Sequence, residues 1–336
     1  MNKAQIQERS RLRQTLFSPN FPALKNQYFL ELFQYQFKYN QLYSEFCQLL
    51  KIAPTSIKNI DDIPHLPISF FKSHSVQSRP DQPIIYFRSS GTTGMSFSRH
   101  PLFEEDLYIE SFLADFQFAY GNPADYCFLF LLPGYMEREG SSLIYMCEKL
   151  RQISKYKESG FYLRSNNQLL SIIANNKTKQ IPTILLGVSF AFVDLAEEGT
   201  FDFSHCILME TGGMKGRRIE PTREQLHKLY RKQFNVTDIH SEYGMTELLS
   251  QAYSKANGLF VPSPKMHIQI VEPDDPFSHA KIGQTGGLNI IDGANIDSCA
   301  FIATQDLAKL HPDGKFEIMG RFDHSDIRGC SLLIAE

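Results

Sequence analysis

A turn rich in glycine and hydroxyl side chains follows the apolar run Ile84 to Phe87. Glycines let a backbone approach a ligand closely, and hydroxyls with free N–H groups can surround phosphate oxygens. No lysine follows the second glycine, so the turn is not a GxxxxGK[ST] loop. It is a candidate phosphate-binding turn, with a plain surface loop as the alternative. The turn consists of Ser89, Ser90, Gly91, Thr92, Thr93 and Gly94.

A second candidate segment, His240 to Glu247 (HSEYGMTE), follows a predicted strand over 236–239. Ligands of open α/β sheets bind where strands end and the chain turns. Tyr243 is suited to stacking on a base, Thr246 to bonding a phosphate, and Glu247 to holding Mg²⁺ through oxygen. The alternative is an ordinary strand-to-helix turn.

The third segment combines Thr304-Gln305-Asp306 with residues 320–329 (GRFDHSDIRG). An aspartate at a strand end suits the paired hydroxyls of a ribose. Residues 311–315 (HPDGK) between them have turn chemistry and predict a link between two strands. The alternative for each charged residue is a solvated turn.

Alternating apolar runs and helical patterns must position these segments. The alternation predicts α/β layers with mostly parallel strands, followed after residue 260 by an antiparallel meander. Buried strands are predicted at 84–87, 126–132, 183–188, 206–209 and 236–239, and shorter strands at 266–271, 287–291 and 299–303. Helices are predicted at 26–50, 103–119, 141–153, 166–175 and 222–234.

Composition excludes several classes of protein. The net charge of −3 gives no reason to expect a nucleic-acid partner. No apolar run approaches the roughly 18 residues that span a bilayer, and no signal peptide is evident, so we expect a cytoplasmic protein without integral membrane association. Six scattered cysteines without a CxxC pair exclude the usual zinc spacing. Cys127, Cys147 and Cys206 lie in apolar patterns and are predicted to be core residues.

Taken together, SSGTTG, YGMTE, TQD and GRFDHSDIRG resemble, in order and spacing, the core motifs of the acyl-adenylate-forming enzymes. Further segments narrow the resemblance to the acyl-protein synthetases, the fatty-acid-activating component of bacterial bioluminescence systems. These are Leu132 to Arg138, Ser141 to Met146, Thr211 to Lys215, Phe71-Lys72 and the end at Arg328-Gly329-Cys330. The similarity runs from about residue 60 to the C-terminus.

The resemblance implies the large N-terminal α/β domain of an adenylate-forming enzyme, with layered sheets and a small antiparallel region. We expect residues 1–336 to form one adenylating domain, in which 1–80 is mainly helical, 81–260 is the nucleotide- and acyl-binding core, and 261–329 is rich in strands. Only seven residues follow Gly329. The small C-terminal lid domain, with its catalytic lysine, is therefore expected to be absent, leaving 330–336 as a tail.

The resemblance also implies roles for single residues. Ser89 to Gly94 would surround the ATP phosphates, Tyr243 would lie against adenine, Thr246 would contact the α-phosphate and Glu247 would bind Mg²⁺. Gly212 and Gly213 would line the junction of the adenine and acyl pockets, and Gly244 would complete the nucleotide site. Asp306 and Arg321 would hold the ribose.

The family places an acyl-accepting cysteine where this chain has Cys330. Arg328 nearby favours a thiolate, while the alternative is an inert, half-buried thiol.

The implied reaction joins a carboxylic acid, which we expect to be a fatty acid, to AMP from ATP. The acyl group then passes to a cysteine and onward to a partner such as a reductase or carrier protein. Two alternatives stay open. One is an aryl-acid enzyme like the phenylacetate-CoA ligases, with an external thiol acceptor. The other is a catalytically silent subunit that binds an acyl group or a nucleotide.

Overall fold

The computed structural model describes residues 1–89, 97–133, 140–162, 167–212 and 222–322. The chain divides into two compact units. The α/β unit is Asp81–Ser263, and the helix–meander unit combines Met1–Pro80 with Pro264–Glu336. Assignment of the whole chain to one adenylating domain stays a prediction.

The α-helices of the described ranges have the following bounds. They are α1 (Lys3–Leu16), α2 (Phe21–Tyr39), α3 (Gln41–Leu49), α4 (Phe70–Ser73), α5 (Glu105–Tyr120), α6 (Ser142–Ile153), α7 (Asn167–Thr178), α8 (Ser189–Glu198) and α9 (Arg223–Phe234).

The strands of the same ranges are mostly short. They are β1 (Leu66–Pro67), β2 (Ile85–Arg88), β3 (Arg99–Leu102), β4 (Cys127–Leu131), β5 (Gly160–Phe161), β6 (Thr183–Val188), β7 (Cys206–Thr211), β8 (Ile239–Tyr243), β9 (Ala252–Ser254), β10 (Leu259–Val261), β11 (Met266–Val271), β12 (Thr285–Asp292), β13 (Phe301–Leu310) and β14 (Phe316–Arg321).

The α/β unit is built on a sheet with the order β10-β9-β8-β7-β6-β4-β5. Strands β8, β7, β6, β4 and β5 pair in parallel, whereas β9 runs antiparallel to both β8 and β10. Every residue of β4 and β6 is buried. Such two-sided burial explains why these strands read as continuous apolar runs, because parallel strands are covered on both faces. The predicted parallel α/β core is confirmed.

The run 84–87 was expected to be a buried strand of that core, and this expectation is wrong. Strand β2 pairs antiparallel with β3 in a separate two-stranded sheet. Ile84 is 60% exposed, while Phe87 is fully buried. Only ten residues separate β2 from β3. Antiparallel strands can be joined by such a short connection, whereas parallel strands need a crossover.

Three other predicted elements differ from the structure. The helix predicted over 26–50 is two helices, because Asn40 has extended backbone angles and its side chain accepts a hydrogen bond from the Tyr43 amide at the start of α3. The strand predicted over 236–239 begins at Ile239 and continues to Tyr243. The strand predicted over 299–303 continues to Leu310.

In the helix–meander unit, β11, β12, β13 and β14 pair as successive antiparallel neighbours, as the sequence predicts after residue 260. The connection between β12 and β13 is buried and is held by polar side chains of the first two helices. Arg9 forms a two-bond ion pair with Asp297, both at 2.6 Å, and the Tyr28 hydroxyl donates to the carbonyl of Gly293 at 2.7 Å. Among the residues that the structure covers, no helix combines the length and the hydropathy needed to cross a bilayer.

Candidate active site

Two of the predicted segments lie at one edge of the parallel sheet. Thr211, the last residue of β7, is the register partner of Glu242 near the end of β8. Gly212 follows β7 directly, and Gly244 follows β8. Gly212 has a φ of 65°, a left-handed conformation that favours glycine. The structure therefore brings Gly212 and the Tyr243–Glu247 segment together at the carboxyl ends of adjacent strands, where open α/β sheets bind ligands.

A β-turn presents the two residues assigned to phosphate and metal. The amide of Leu248 donates to the carbonyl of Met245 at 3.1 Å, so Thr246 and Glu247 occupy the central positions. Glu247 is 5% exposed and Thr246 is half-buried. Just before the turn, Tyr243 is buried and packs edge-on against a neighbouring ring, Phe260, with 5.8 Å between centroids.

Glu242 is a buried carboxyl group that no sequence motif singled out. Its Oε2 atom accepts a hydrogen bond from the Thr211 hydroxyl. Burial raises the pKa of Glu242 to about 7, against the smaller lowering effect of that bond. A Cβ atom on Gly244 would overlap the other carboxyl oxygen of Glu242. A larger residue at position 244 would therefore have to displace the Glu242 carboxyl group.

This raised pKa predicts that Glu242→Gln stabilises the protein increasingly as the pH rises from 5 to 8. In this window the folded wild type holds a proton on Glu242 that the unfolded chain releases. The contribution of Glu242 to the unfolding free energy is therefore lost as the pH rises through its folded-state pKa of about 7. Glutamine still accepts from Thr211 but does not titrate. The difference in unfolding free energy approaches about 3 kcal/mol at pH 8.

Urea unfolding at several pH values measures this difference. Glu224→Gln, at an exposed position in the first turn of α9, is the matched control and should follow the wild-type pH profile. Parallel profiles for wild type and Glu242→Gln would show that Glu242 has an ordinary pKa.

A second buried carboxylate, Glu210, collects donors from three elements. His227 of α9 donates from Nε2 at 2.9 Å, the Ser241 hydroxyl at 3.3 Å, and the Ser189 hydroxyl lies 3.5 Å away. Ser189 is closer to the carbonyl oxygen of Gly212, at 3.1 Å. The cluster ties α8 and α9 to β7, which ends at Thr211. Its members are too far apart in sequence for any spacing pattern to reveal them.

Ser89 lies at the end of the β2–β3 hairpin. Its amide donates to the carbonyl of Ser98 at 3.2 Å, and the Ser98 amide donates to the Ser89 hydroxyl at 3.0 Å. These bonds close the base of the predicted phosphate turn. The other predicted site residues of the turn, together with Gly213 and Cys330, fall outside the described ranges. Those in the turn are Ser90, Gly91, Thr92, Thr93 and Gly94.

Asp306 and Arg321 belong to the helix–meander unit, where they are register partners on β13 and β14. The Nε atom of Arg321 lies 3.3 Å from a carboxylate oxygen of Asp306, and the two side chains are 73% and 13% exposed. The expectation that Asp306 ends a strand is wrong, because β13 continues for four more residues. A register shift in the pairing of β13 with β14 lies between Leu307 and Ala308, directly after Asp306. Such irregularities change the direction in which nearby side chains point.

The donor set fits a magnesium ion held mainly by its substrate. Among the described residues no group of three or more His, Cys, Asp or Glu side chains could hold a metal. Mg²⁺ commonly binds through one or two carboxylates together with substrate phosphates and water, so a single buried carboxylate such as Glu247 is sufficient. Its role as a metal ligand stays a prediction.

The burial of the described cysteines in the α/β unit agrees largely with the prediction that they are core residues. Cys127 and Cys147 are fully buried, as predicted for core residues. Cys206 is half-buried at the start of β7.

Residues 18–101 match the family model for acyl-protein synthetase, LuxE. This match confirms the resemblance to the acyl-protein synthetases over residues 18–101. The sequence motifs indicated the resemblance only from about residue 60 onward, whereas the match begins at residue 18. The matched residues include the predicted phosphate turn. No protein of curated function matches the chain in sequence.

Solved structures of adenylate-forming ligases share the fold. ATP-bound MatB from Rhodopseudomonas palustris has a TM-score of 0.52 and 18% identity over 70% of this chain and 47% of that chain. An open conformation of 2-hydroxyisobutyryl-CoA ligase, in complex with 2-HIB-AMP and CoA, has a TM-score of 0.62 and 11% identity, covering 90% and 71%. A long-chain-fatty-acid-CoA ligase, FadD1 from Archaeoglobus fulgidus, has a TM-score of 0.50 and 14% identity over 74% of this chain and 53% of that chain.

The chain thus spans about half the length of MatB. The fold predicted from the motifs, the large α/β domain of an adenylate-forming enzyme, is confirmed by these likenesses.

Proposed function

We propose that this protein activates a carboxylic acid with ATP as an acyl-adenylate and then passes the acyl group to a thiol. One observation carries the proposal. Gly212 and the Tyr243–Glu247 segment meet at the carboxyl edge of parallel strands, in the fold that adenylate-forming ligases share. The LuxE match and an ATP-bound neighbour support ATP-dependent activation of an acid.

In the proposed first step, a carboxylate oxygen attacks the α-phosphorus of ATP. The bond from that phosphorus to the bridging oxygen breaks, and pyrophosphate leaves with the electron pair. The reaction brings two anions together, so the site must orient them and offset their charge. Thr246 would orient the α-phosphate, and the Glu247 carboxylate would hold Mg²⁺. When bound, Mg²⁺ supplies positive charge against the phosphates.

A fatty acid is the proposed substrate class. The match to an acyl-protein synthetase family and the structural likeness to FadD1, which is named a long-chain-fatty-acid-CoA ligase, support it. An aryl acid is the competing substrate, and a silent binding subunit is the competing function.

The proposed second step places the acyl group on Cys330, whose thiolate attacks the acyl carbon and releases AMP. The five described cysteines are poor acceptors, because burial raises the pKa of each thiol. The pKa of Cys47 and of Cys206 rises to about 12. Cys330, whose structure is not described, is the sixth cysteine in the sequence. A cytoplasmic reductase or carrier protein would then receive the acyl group.

Pyrophosphate release from ATP, measured with a panel of acids, tests this function. We expect long-chain fatty acids to support release and short or aryl acids to support it at least tenfold less well. Preference for aryl acids would favour the aryl-acid enzyme. No release with any acid, from a folded protein that binds ATP, would refute the adenylation proposal.

A further inference from the structure

One buried side chain joins the β2–β3 hairpin to the Met245–Leu248 turn. His100 lies on β3 opposite Phe87 and is 1% exposed. Its Nδ1 atom is 2.9 Å from the carbonyl oxygen of Thr246. A carbonyl oxygen only accepts hydrogen bonds, so Nδ1 carries the proton and donates. No sequence motif pointed to this contact, which spans 146 positions.

Burial keeps the protonation state of His100 unchanged near neutral pH. Burial lowers the pKa of His100 to about 4, and the bond to Thr246 offsets only part of that effect. The imidazole is therefore neutral and has a single N–H group, whose place the Thr246 carbonyl determines. His100 acts as a fixed donor, and no change of charge accompanies its contact with the turn.

The carbonyl that His100 holds belongs to the central peptide of the turn. Thr246 and Glu247 are the two central residues, and this peptide joins them. Type I and type II turns differ mainly by a flip of that peptide, which reverses its C=O and N–H groups. In a planar trans peptide the two groups point in opposite directions. Holding the carbonyl of Thr246 therefore also fixes the direction of the Glu247 amide.

The other end of the connection is the β2–β3 hairpin, whose strands flank the predicted phosphate turn in the sequence. His100 stands two residues after Ser98, whose bonds with Ser89 close the hairpin. The partly buried hydrogen bond from His100 thus links the strand that follows Ser98 to the centre of the YGMTE turn. Both segments belong to the α/β unit.

We propose that His100 is a positioning residue for adenylation, which holds the Thr246–Glu247 peptide in a fixed orientation relative to the hairpin that carries the phosphate turn. The inference rests on the proposed function, since it assigns His100 to the same reaction. His100 contacts the turn and is not a catalytic residue.

Two substitutions at position 100 separate the donor from the bulk of the side chain. His100→Leu fills the space and removes the N–H group. His100→Asn keeps an N–H donor, because its amide nitrogen is attached to Cγ as Nδ1 is. The matched control is His205→Leu, which removes an imidazole bond of the same kind. Nε2 of His205 lies 2.8 Å from the carbonyl of Ile181, at the amino ends of β6 and β7.

Hydrogen exchange of the ligand-free protein is the first measurement, and it does not require activity. In His100→Leu we expect amides in 243–250 and in 85–89 to exchange at least fivefold faster than in the wild type. His100→Asn should restore most of the protection, and His205→Leu should leave both segments unchanged. Unchanged protection in a folded His100→Leu protein would overturn the inference.

ATP–pyrophosphate exchange is the second measurement. We expect His100→Leu to lower kcat by about tenfold or more with a KM for ATP within about threefold, because misalignment affects the transition state more than ground-state binding. His100→Asn should recover most of kcat. Equal losses in His100→Leu and His205→Leu would overturn the positioning role. If the wild type showed no ATP–pyrophosphate exchange with any acid, the proposed function would be refuted instead. Hydrogen exchange would then still decide whether His100 holds the turn.

Discussion

Glu247→Gln is expected to lower Mg²⁺-dependent acyl-adenylate formation by about 100-fold or more while leaving the fold intact. Glu247 is 5% exposed and sits in the centre of the Met245–Leu248 turn. Glutamine keeps the size of the side chain but removes the charge that a hard cation prefers. ATP–pyrophosphate exchange, measured over a wide range of Mg²⁺ concentration, gives both the loss and its dependence on the metal.

A metal-binding role has a signature that a packing role lacks. A weakened ligand should shift the Mg²⁺ dependence to higher concentration, so excess Mg²⁺ should recover part of the activity. A variant damaged only in its packing would show the same fractional loss at every concentration. Exposed Glu224→Gln controls for loss of one negative charge. Near-normal exchange in a well-folded Glu247→Gln protein would remove Glu247 from the metal site.

The parallel core was predictable because buried parallel strands are apolar throughout. Strands β4 and β6 lie within the predicted runs 126–132 and 183–188. Helix α8 was not predicted, because it too is buried along most of its length. Seven of its ten residues are buried, so the chain shows no alternation between an apolar and a polar face.

The hairpin at β2 was not predictable from periodicity, since a short apolar run reads alike in a parallel sheet and in a hairpin.

The candidate site was predictable only as far as it is local in sequence. The YGMTE segment was found because its residue types follow a predicted strand, and Gly212 was found through the resemblance to a known family. The buried side chains beneath them were missed, since their partners are distant in the chain. Thr211 and Glu242 are 31 positions apart, as are Ser241 and Glu210. These contacts arise from strand register, which no single segment encodes. Polar residues such as Glu242 consequently looked like turn residues, although they lie within β8 and are buried.

Cys330→Ser is expected to separate the two proposed half-reactions. Adenylate formation should stay within about threefold of wild type, because the first step needs no thiol nucleophile. Acyl labelling of the protein should fall at least tenfold, because a neutral hydroxyl is a much weaker nucleophile than a thiolate. Pyrophosphate exchange measures the first step. Intact-protein mass, before and after hydroxylamine, measures the second.

Cys206→Ser is the matched control, because Cys206 is half-buried whereas the other described cysteines are buried. Burial raises the pKa of Cys206 to about 12, so at pH 7 only about 10⁻⁵ of its thiol is ionised. Cys206→Ser should therefore keep the full acyl label. If the label moved with Cys206 instead, the thiol would have to ionise in a way that its buried environment opposes.

The pair of variants decides where the proposed reaction places the acyl group. Loss of a hydroxylamine-sensitive label in Cys330→Ser, but not in Cys206→Ser, would place the acyl group on the chain itself before a partner receives it. Labelling that persists in Cys330→Ser would refute Cys330 as the acceptor. A wild type that makes adenylate but never gains acyl mass would do the same and would favour an external thiol. The raised pKa values of the described thiols argue against acylation of those five cysteines, because each disfavours the thiolate that attack on an acyl-adenylate requires.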